Sequence, residues 1–143
     1  MEAVEFDFVV KDSLKAIELY EKIFAVERVE VTDFKTGSNE AVFTIFGTRF
    51  HMLDENPEYQ LVAPKEGAPQ SFWFNVMVND INETYHKAIE QGCTEIQGVT
   101  KMENMGISNG IFLDPFGYVW MLHEIHEGVS FEKRIEILSE DFE

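Results

Sequence analysis

The chain has 143 residues, of which 45% are hydrophobic, and its thirteen phenylalanines supply enough apolar surface for a single packed domain. Twenty-seven acidic residues against eleven basic ones give a net charge of −16, which argues against nucleic acids and anionic membranes as partners. Its apolar runs are too short to cross a bilayer.

The first half predicts a strand, a helix and three further strands. An extended apolar run leads to Asp12, and apolar residues then recur at helical spacing through "SLKAIELYEKIF". Asp12 suits a helix N-cap because its carboxylate can accept bonds from amides of the first turn. The runs "VERVEVTDF", "EAVFTIFG" and "TRFHMLDE" predict the three strands.

The second half repeats this pattern about 68 residues later. "FNVMVNDINETYHKAIEQGC" places Asp80 where the first half has Asp12, with Glu83 in a capping-box position and Gly92 as a helix stop. The strands "TEIQGV", "SNGIFLD" and "YVWMLHEI" follow. We therefore predict one domain, 1–143, with module one at about 1–54 and module two at about 70–126. A linker at about 55–69 holds three of the four prolines, and a final helix is predicted at about 130–139.

Strand alternation assigns side chains to two faces. In the first strand Phe6, Phe8 and Val10 should pack on a helix, while Glu5 and Asp7 face the other way. The same rule gives the second face a larger set of polar and aromatic side chains, our candidates for a ligand site: Glu5, Asp7, Arg49, His51, Trp73, Asn75, Met121 and His123.

The stretch "DPFGYVWMLHEIH" at 114–126 looks chemical but has a plainer explanation. "DPFG" fits a type I turn. His123 and His126 are an odd number apart, so a continuous strand would place them on opposite faces and a shared metal is not expected. We interpret His126 as a solvated strand end.

The single cysteine and the acidic N-terminus favour a cytosolic protein. Cys93 allows no internal disulfide, and "MEAVEFDFVVKDS" is unlike a signal peptide. Cys93 is interpreted as a small buried residue, with a catalytic thiol as the alternative. The net charge favours a cationic ligand, and the alternative is that it only maintains solubility.

The chain resembles the vicinal oxygen chelate superfamily in its duplicated module and in the segments "VVKDSLKAIELYEKIFAVE" and "FLDPFGYVWMLHE". This superfamily includes glyoxalase I, extradiol dioxygenases and bleomycin- and fosfomycin-resistance proteins. The PhnB-like branch is the most similar. The resemblance implies an α+β fold in which two βαβββ modules form a curved mixed sheet around a pocket. Helices would cover the outer face, a short C-terminal helix would follow, and the protein would be a homodimer.

Metal-binding relatives place ligands on the first and last strands of each module. By motif, those positions fall on Glu5 and His51 in module one, and on Trp73 and Met121 in module two. Tryptophan does not ligate, and a thioether is too soft for the usual ions. Asp7 or His123 would complete a set of three ligands only in a rearranged site. We therefore predict no metal cofactor.

Three functions remain open. The first is a small-molecule binding protein without a catalytic metal, whose ligand is cationic if the charge is selective. The second is an enzyme, either a metal-dependent lyase, isomerase or dioxygenase with a variant site, or a metal-free acid–base catalyst. In the latter, Glu5 or Asp7 would be the base and His51 would shuttle the proton. The third is a dimeric interaction module without a ligand. A Glu5–Arg49 salt bridge with a purely structural role is the alternative at the site.

Overall fold

The computed structural model describes residues 1–142 and contains two four-stranded mixed sheets of identical strand order. The chain divides into two compact units. Unit 1 holds residues 1–70 and 115–118, and within the described residues unit 2 holds 71–114 and 119–142.

Both predicted modules have the expected element order, which confirms the α+β fold. In unit 1 the elements are β1 (Phe6–Val10), α1 (Ser13–Ile23), β2 (Val26–Val31), β3 (Glu40–Ile45) and β4 (Thr48–Asp54). In unit 2 they are β5 (Phe74–Met77), α2 (Ile81–Glu90), β6 (Thr94–Met102), β7 (Ile107–Leu113), β8 (Val119–Ile125) and α3 (Phe131–Asp141). Short 3₁₀ helices lie at Pro57–Tyr59 and Glu103–Met105.

Sheet 1 has the order β1-β4-β3-β2 and sheet 2 the order β5-β8-β7-β6. The first strand of each module runs parallel to the last, and the other neighbours are antiparallel. This pairing places residues from the two ends of each module side by side.

The predicted helix caps are present. Asp12 Oδ1 accepts the Lys15 amide at 3.1 Å, and Asp80 Oδ1 accepts the Glu83 amide at 3.1 Å. The Glu83 carboxylate lies 3.1 Å from Lys87 Nζ, one helical turn further on. Both aspartates thus satisfy amides that the helix itself leaves without acceptors.

Helix α2 ends as its glycine predicts. Gly92 has φ +98°, its amide bonds to the Ile89 carbonyl at 3.1 Å, and the Cys93 amide reaches the Ala88 carbonyl at 3.0 Å. This bond pattern is a Schellman motif, which requires the left-handed conformation that glycine adopts without strain.

Burial confirms the assignment of strand faces except at Phe6, which is 55% exposed at the start of β1, so the prediction that it packs on a helix is wrong. In β1 and β4 the buried apolar residues are Phe8, Val10, Phe50 and Met52, and they alternate with more exposed neighbours. Sheet 2 repeats this pattern with buried residues Phe74, Val76, Trp120 and Leu122. Each buried face packs against its module's helix, whose own buried residues lie on one side.

Each module ties the last strand to the start of its helix with a carboxylate. Asp54 Oδ1 accepts the Ser13 amide at 2.7 Å, and Glu124 Oε1 accepts the Ile81 amide at 2.9 Å. The two acids are 70 residues apart, as the repeat requires. Their shared role shows that the duplication extends to individual hydrogen bonds.

The "DPFG" segment is structural. Asp114, at its start, is buried, and its Oδ2 accepts the Trp120 indole N–H at 2.8 Å. Gly117, at its end, has φ +98°. In unit 1, Tyr118 donates its hydroxyl proton to the Val9 carbonyl at 2.8 Å.

The predicted C-terminal helix forms as α3 and ends two residues later than expected, with the Ser130 hydroxyl accepting the Lys133 amide at 3.1 Å. No helix within residues 1–142 is long and apolar enough to cross a membrane. The cytosolic location and the single-domain organisation stay predictions.

Candidate functional site

Five polar residues of unit 1 form a cluster on the face of sheet 1 that points away from α1. We call this face the site face and define it by Glu5, Asp7, Glu40, Arg49 and His51. Strands β1 and β4 are direct neighbours, with Asp7 in register with His51, so residues 44 positions apart in the chain meet across one strand pair.

Glu5 lies at the centre of this cluster and makes two contacts. Its Oε2 accepts the Arg49 Nε–H at 2.6 Å, and its Oε1 lies 3.2 Å from His51 Nδ1. The hydrogen bond from Arg49 lowers the pKa of Glu5 below its usual range, and the contact with His51 acts in the same direction. Glu5 is therefore an anion engaged by a cation, a poor candidate for a general base.

The pKa of Asp7 is shifted in the opposite direction to that of Glu5. Its Oδ2 lies 3.4 Å from His51 Nδ1. Burial raises the pKa of Asp7 above its usual range, His51 opposes this shift, and the negative charges of Glu5 and Glu40 add to it. Of the two predicted acid–base candidates, Asp7 is the better matched to proton transfer.

His51 has carboxylates near both ring nitrogens. Nδ1 faces Glu5 and Asp7, while Nε2 lies 3.6 Å from Glu40 Oε1, which is beyond hydrogen-bonding distance. Nε2 is buried and has no hydrogen-bond partner within residues 1–142. Buried polar atoms are normally bonded, so a structure that leaves one without a partner invites a functional explanation.

The other predicted site residues lie in unit 2, on the corresponding face of sheet 2. Asn75 is in register with Met121, and Met77 is in register with His123. Trp73 precedes this strand and exposes 57% of its surface. Trp73 and Met121 thus occupy the positions that correspond to Glu5 and His51, and neither is a carboxylate or an imidazole.

Sequence reasoning missed Glu40, which alternation in "EAVFTIFG" places opposite the buried Ala41 and Phe43. His126 is exposed directly after β8, as predicted, but sequence reasoning did not foresee its two side-chain contacts. His126 Nε2 lies 2.7 Å from the Ser108 hydroxyl, and its Nδ1 lies 2.6 Å from Glu124 Oε2.

The Ser108–His126–Glu124 chain has the order of a hydrolase triad, but its serine is only 3% exposed. A nucleophile must be reachable by its substrate. We therefore assign this chain a structural role, in which it bonds the polar groups at the end of β8.

Cys93 is buried, as predicted, and burial raises the pKa of its thiol to about 12, with the nearby Asp114 charge adding to the effect. A thiol with so high a pKa carries almost no thiolate at neutral pH. Cys93 is therefore not a nucleophile.

Comparison with known proteins agrees with the duplicated fold. The model of the Glyoxalase/Bleomycin resistance protein/Dioxygenase superfamily matches residues 3–122, and the chain belongs to this superfamily. No curated protein matches the chain.

Solved structures show the same fold at low sequence identity. The fosfomycin resistance protein FosX from Listeria monocytogenes, in complex with Mn(II) and sulfate, is 14% identical with a TM-score of 0.69, and the alignment covers 96% of this chain and 97% of that one. A PhnB protein from Bacillus cereus, described as a putative 3-demethylubiquinone-9 3-methyltransferase, is 18% identical with a TM-score of 0.66, covering 86% and 99%. TioX from Micromonospora sp. ML1 is 13% identical with a TM-score of 0.64, covering 87% and 99%.

The metal site that the resemblance implies does not fit this chain. Of its four positions, Trp73 and Met121 offer no hard donor, and Glu5 is bonded to Arg49 at 2.6 Å. One different grouping exists within residues 1–142: donor atoms of Glu5, Asp7 and His51 all lie within 4.8 Å of one another.

Proposed function

We propose that the protein binds a small organic molecule at the site face without a catalytic metal. The observation that carries this proposal is the environment of His51. Glu5 and Asp7 both face Nδ1, and Glu40 is the carboxylate nearest to Nε2 on the other side of the ring. Glu40 lies 3.6 Å from Nε2 and makes no hydrogen bond with it, so three carboxylates surround one imidazole and the Glu40 oxygens remain available as acceptors.

A ligand that carries N–H donors would bond the exposed Glu40 carboxylate. The charge of the cluster favours the same ligand class. The cluster contains three carboxylates but only one guanidinium, that of Arg49, and partial burial strengthens the attraction between the carboxylates and a cation. We therefore expect an organic cation, such as a protonated amine. Trp73, Asn75, Met121 and His123 remain predicted ligand-contacting residues of sheet 2.

Thermal shift tests this proposal, since a ligand that binds only the folded state raises its melting temperature. We would compare protonated amines and basic antibiotics with uncharged compounds of the same shape, in the presence of a chelator. The cationic member of a pair should stabilise the protein, and Glu40→Gln should lower its affinity about tenfold. Glu27→Gln is the control, because Glu27 is exposed on β2 and its replacement changes the charge equally.

Two results would contradict the proposal. One is the absence of a shift with every compound. The other is an equal loss of affinity in Glu40→Gln and Glu27→Gln, which would mean that the ligand responds only to overall charge.

The second candidate is an enzyme, and the grouping of Glu5, Asp7 and His51 favours it. Two carboxylates and an imidazole suit divalent ions, although Arg49 competes for Glu5. Metal analysis of untagged protein, followed by calorimetric titration with Mn²⁺, separates the candidates. Tight stoichiometric binding that Asp7→Asn abolishes would favour this second function, whereas weak binding that survives in Asp7→Asn would favour the first.

A further inference from the structure

Sheet 2 carries soft metal donors on the face that points away from α2. Met77 lies on this face of β5, where it is 56% exposed and follows a buried residue. Met121 and His123 lie on the same face of β8, where both are half-buried and alternate with fully buried residues. Two thioethers and one imidazole therefore share one surface of unit 2.

The strand register brings these three side chains together. Strands β5 and β8 are parallel neighbours, and Met77 is in register with His123. Met121 precedes His123 by two positions on the same face and is diagonal to Met77. Backbones of neighbouring strands lie about 4.8 Å apart, and same-face residues of one strand lie about 6.6 Å apart. Because methionine is long, unbranched and flexible, both sulfur atoms can reach an ion beside the ring of His123.

The imidazole of His123 is available to a ligand. The chain has four histidines, and three of them contact carboxylates: His51 contacts Glu5, His86 contacts Glu90 and His126 contacts Glu124. Within residues 1–142, His123 makes no hydrogen bond and no ion pair. Its ring nitrogens are therefore not engaged in holding the fold together.

The surroundings of this imidazole disfavour hard ions. Strands β5, β7 and β8 contain one carboxylate, that of Glu124, and it lies on the opposite face, where it accepts the Ile81 amide. The Asn109 side chain, in register with His123 on β7, uses its oxygen to accept a hydrogen bond from Gln97 at 2.9 Å. Magnesium, calcium and manganese ions prefer such oxygen ligands, whereas thioethers select Cu(I).

We propose that Met77, Met121 and His123 bind one Cu(I) ion. Three neutral ligands leave the complex with a single positive charge, and the net charge of −16 on the chain favours its capture. The softness that makes Met121 unsuitable for hard ions is what selects this one. The three ligands include no residue of the site face, so copper and an organic cation would occupy different sheets.

Competition with a chromophoric Cu(I) chelator, in the absence of oxygen, measures the affinity. The original chain should bind one equivalent. Met77→Leu and Met121→Leu conserve volume and remove the sulfur. Each should weaken binding at least about tenfold, because substitutions outside the ligand set alone cost about 10- to 100-fold. His123→Gln should weaken binding to the same extent.

Met102→Leu is the matched control, because Met102 lies on β6 and the strand β7 separates β6 from β8. It removes a thioether from the same sheet and should change the affinity by less than about threefold. Circular dichroism shows whether each variant keeps its fold.

Methyl NMR with isotope-labelled methionine identifies the ligands directly. Ag(I), a soft ion of the same charge, replaces the air-sensitive copper ion. Of the six methionine signals, those of Met77 and Met121 should shift with the first equivalent, and that of Met102 should not. The absence of a signal in the corresponding Leu variant assigns it.

Four results would overturn the inference. The original chain could bind no Cu(I). The variants Met77→Leu and Met121→Leu could bind it as tightly as the original chain. The affinity could fall in Cys93→Ala, which would place the ion at the one thiol of the chain. Finally, the affinity could fall in His51→Gln but not in His123→Gln, which would place the ion at the site face.

Discussion

Asp54→Asn tests whether a single buried carboxylate holds module one together. Asp54 is 2% exposed and accepts three backbone amides: Ser13 at 2.7 Å on one oxygen, and Gly37 at 2.8 Å and Asn39 at 3.0 Å on the other. Asparagine has one oxygen, so at least one of these amides would face an NH₂ group and lose its acceptor.

The expected loss of stability follows from those bonds. A hydrogen bond to a charged group contributes about 1.5–3 kcal/mol, so losing one or two of the three predicts a decrease of about 1.5–6 kcal/mol in the free energy of unfolding at neutral pH. Urea unfolding followed by tryptophan fluorescence measures it. Asp33→Asn, which alters an exposed acid in the same unit, should change this free energy by less than about 0.5 kcal/mol.

The pH dependence provides a second readout. Burial alone would raise the pKa of Asp54, but the amide bonds from Ser13, Asn39 and Gly37 outweigh it and lower the pKa. A lowered folded-state pKa stabilises the protein above the unfolded value of about 3.9, and this contribution is lost as the pH falls through the folded value. Asp54→Asn should therefore lose less stability than the original chain below about pH 4. Equal acid sensitivity, or a neutral-pH change below about 0.5 kcal/mol, would refute the reasoning.

Three further predictions concern other residues. Phe46 is 65% exposed and has φ +49° in the two-residue turn between β3 and β4, a left-handed conformation that asparagine adopts more readily than phenylalanine. Phe46→Asn should therefore raise the melting temperature by about 3 °C, and a decrease would show that Phe46 is not strained. His126→Ala leaves the buried Ser108 hydroxyl without this contact and should cost about 1–3 kcal/mol in urea unfolding, whereas a change below about 0.5 kcal/mol would remove the structural role. Cys93 should react with thiol reagents at the unfolding rate at pH 8, and fast labelling of native protein would contradict its burial.

The contacts at the site favour one acid–base candidate over another. From sequence, Glu5 and His51 were the catalytic candidates, and Asp7 was the alternative base. Arg49 distinguishes the two carboxylates, because it bonds Glu5 at 2.6 Å and holds the pKa of that carboxyl low, while burial raises the pKa of Asp7. If an activity is found, Asp7→Asn should therefore reduce it more than Glu40→Gln, which removes a negative charge near the ligand but no proton-transfer group.

Local sequence signals accounted for the elements of this protein. Asp12 and Asp80 predicted helix starts, and Gly92 predicted a helix end, because each acts through bonds within about four residues of itself. Alternation in β1 predicted that Phe8 and Val10 would be buried and Asp7 exposed, since side-chain direction depends only on position along the strand.

Contacts between distant residues required the tertiary structure. The meeting of Glu5 with Arg49 and His51 depends on the parallel register of β1 and β4, and the position of Glu40 near His51 depends on the antiparallel register of β3 and β4. No local pattern encodes those registers, because they depend on contacts between strands that lie far apart in the chain.

The sequence by itself determined a duplicated βαβββ chain, the faces of its strands and the absence of hard donors at Trp73 and Met121. These follow from residue identity and from periods of two and 3.6, which a linear chain displays directly. Only the tertiary structure decided that His51 would have acceptors on both sides and that His126 would lie between Ser108 and Glu124. Such arrangements depend on distances between atoms far apart in the chain, and those distances exist only once the strands have paired.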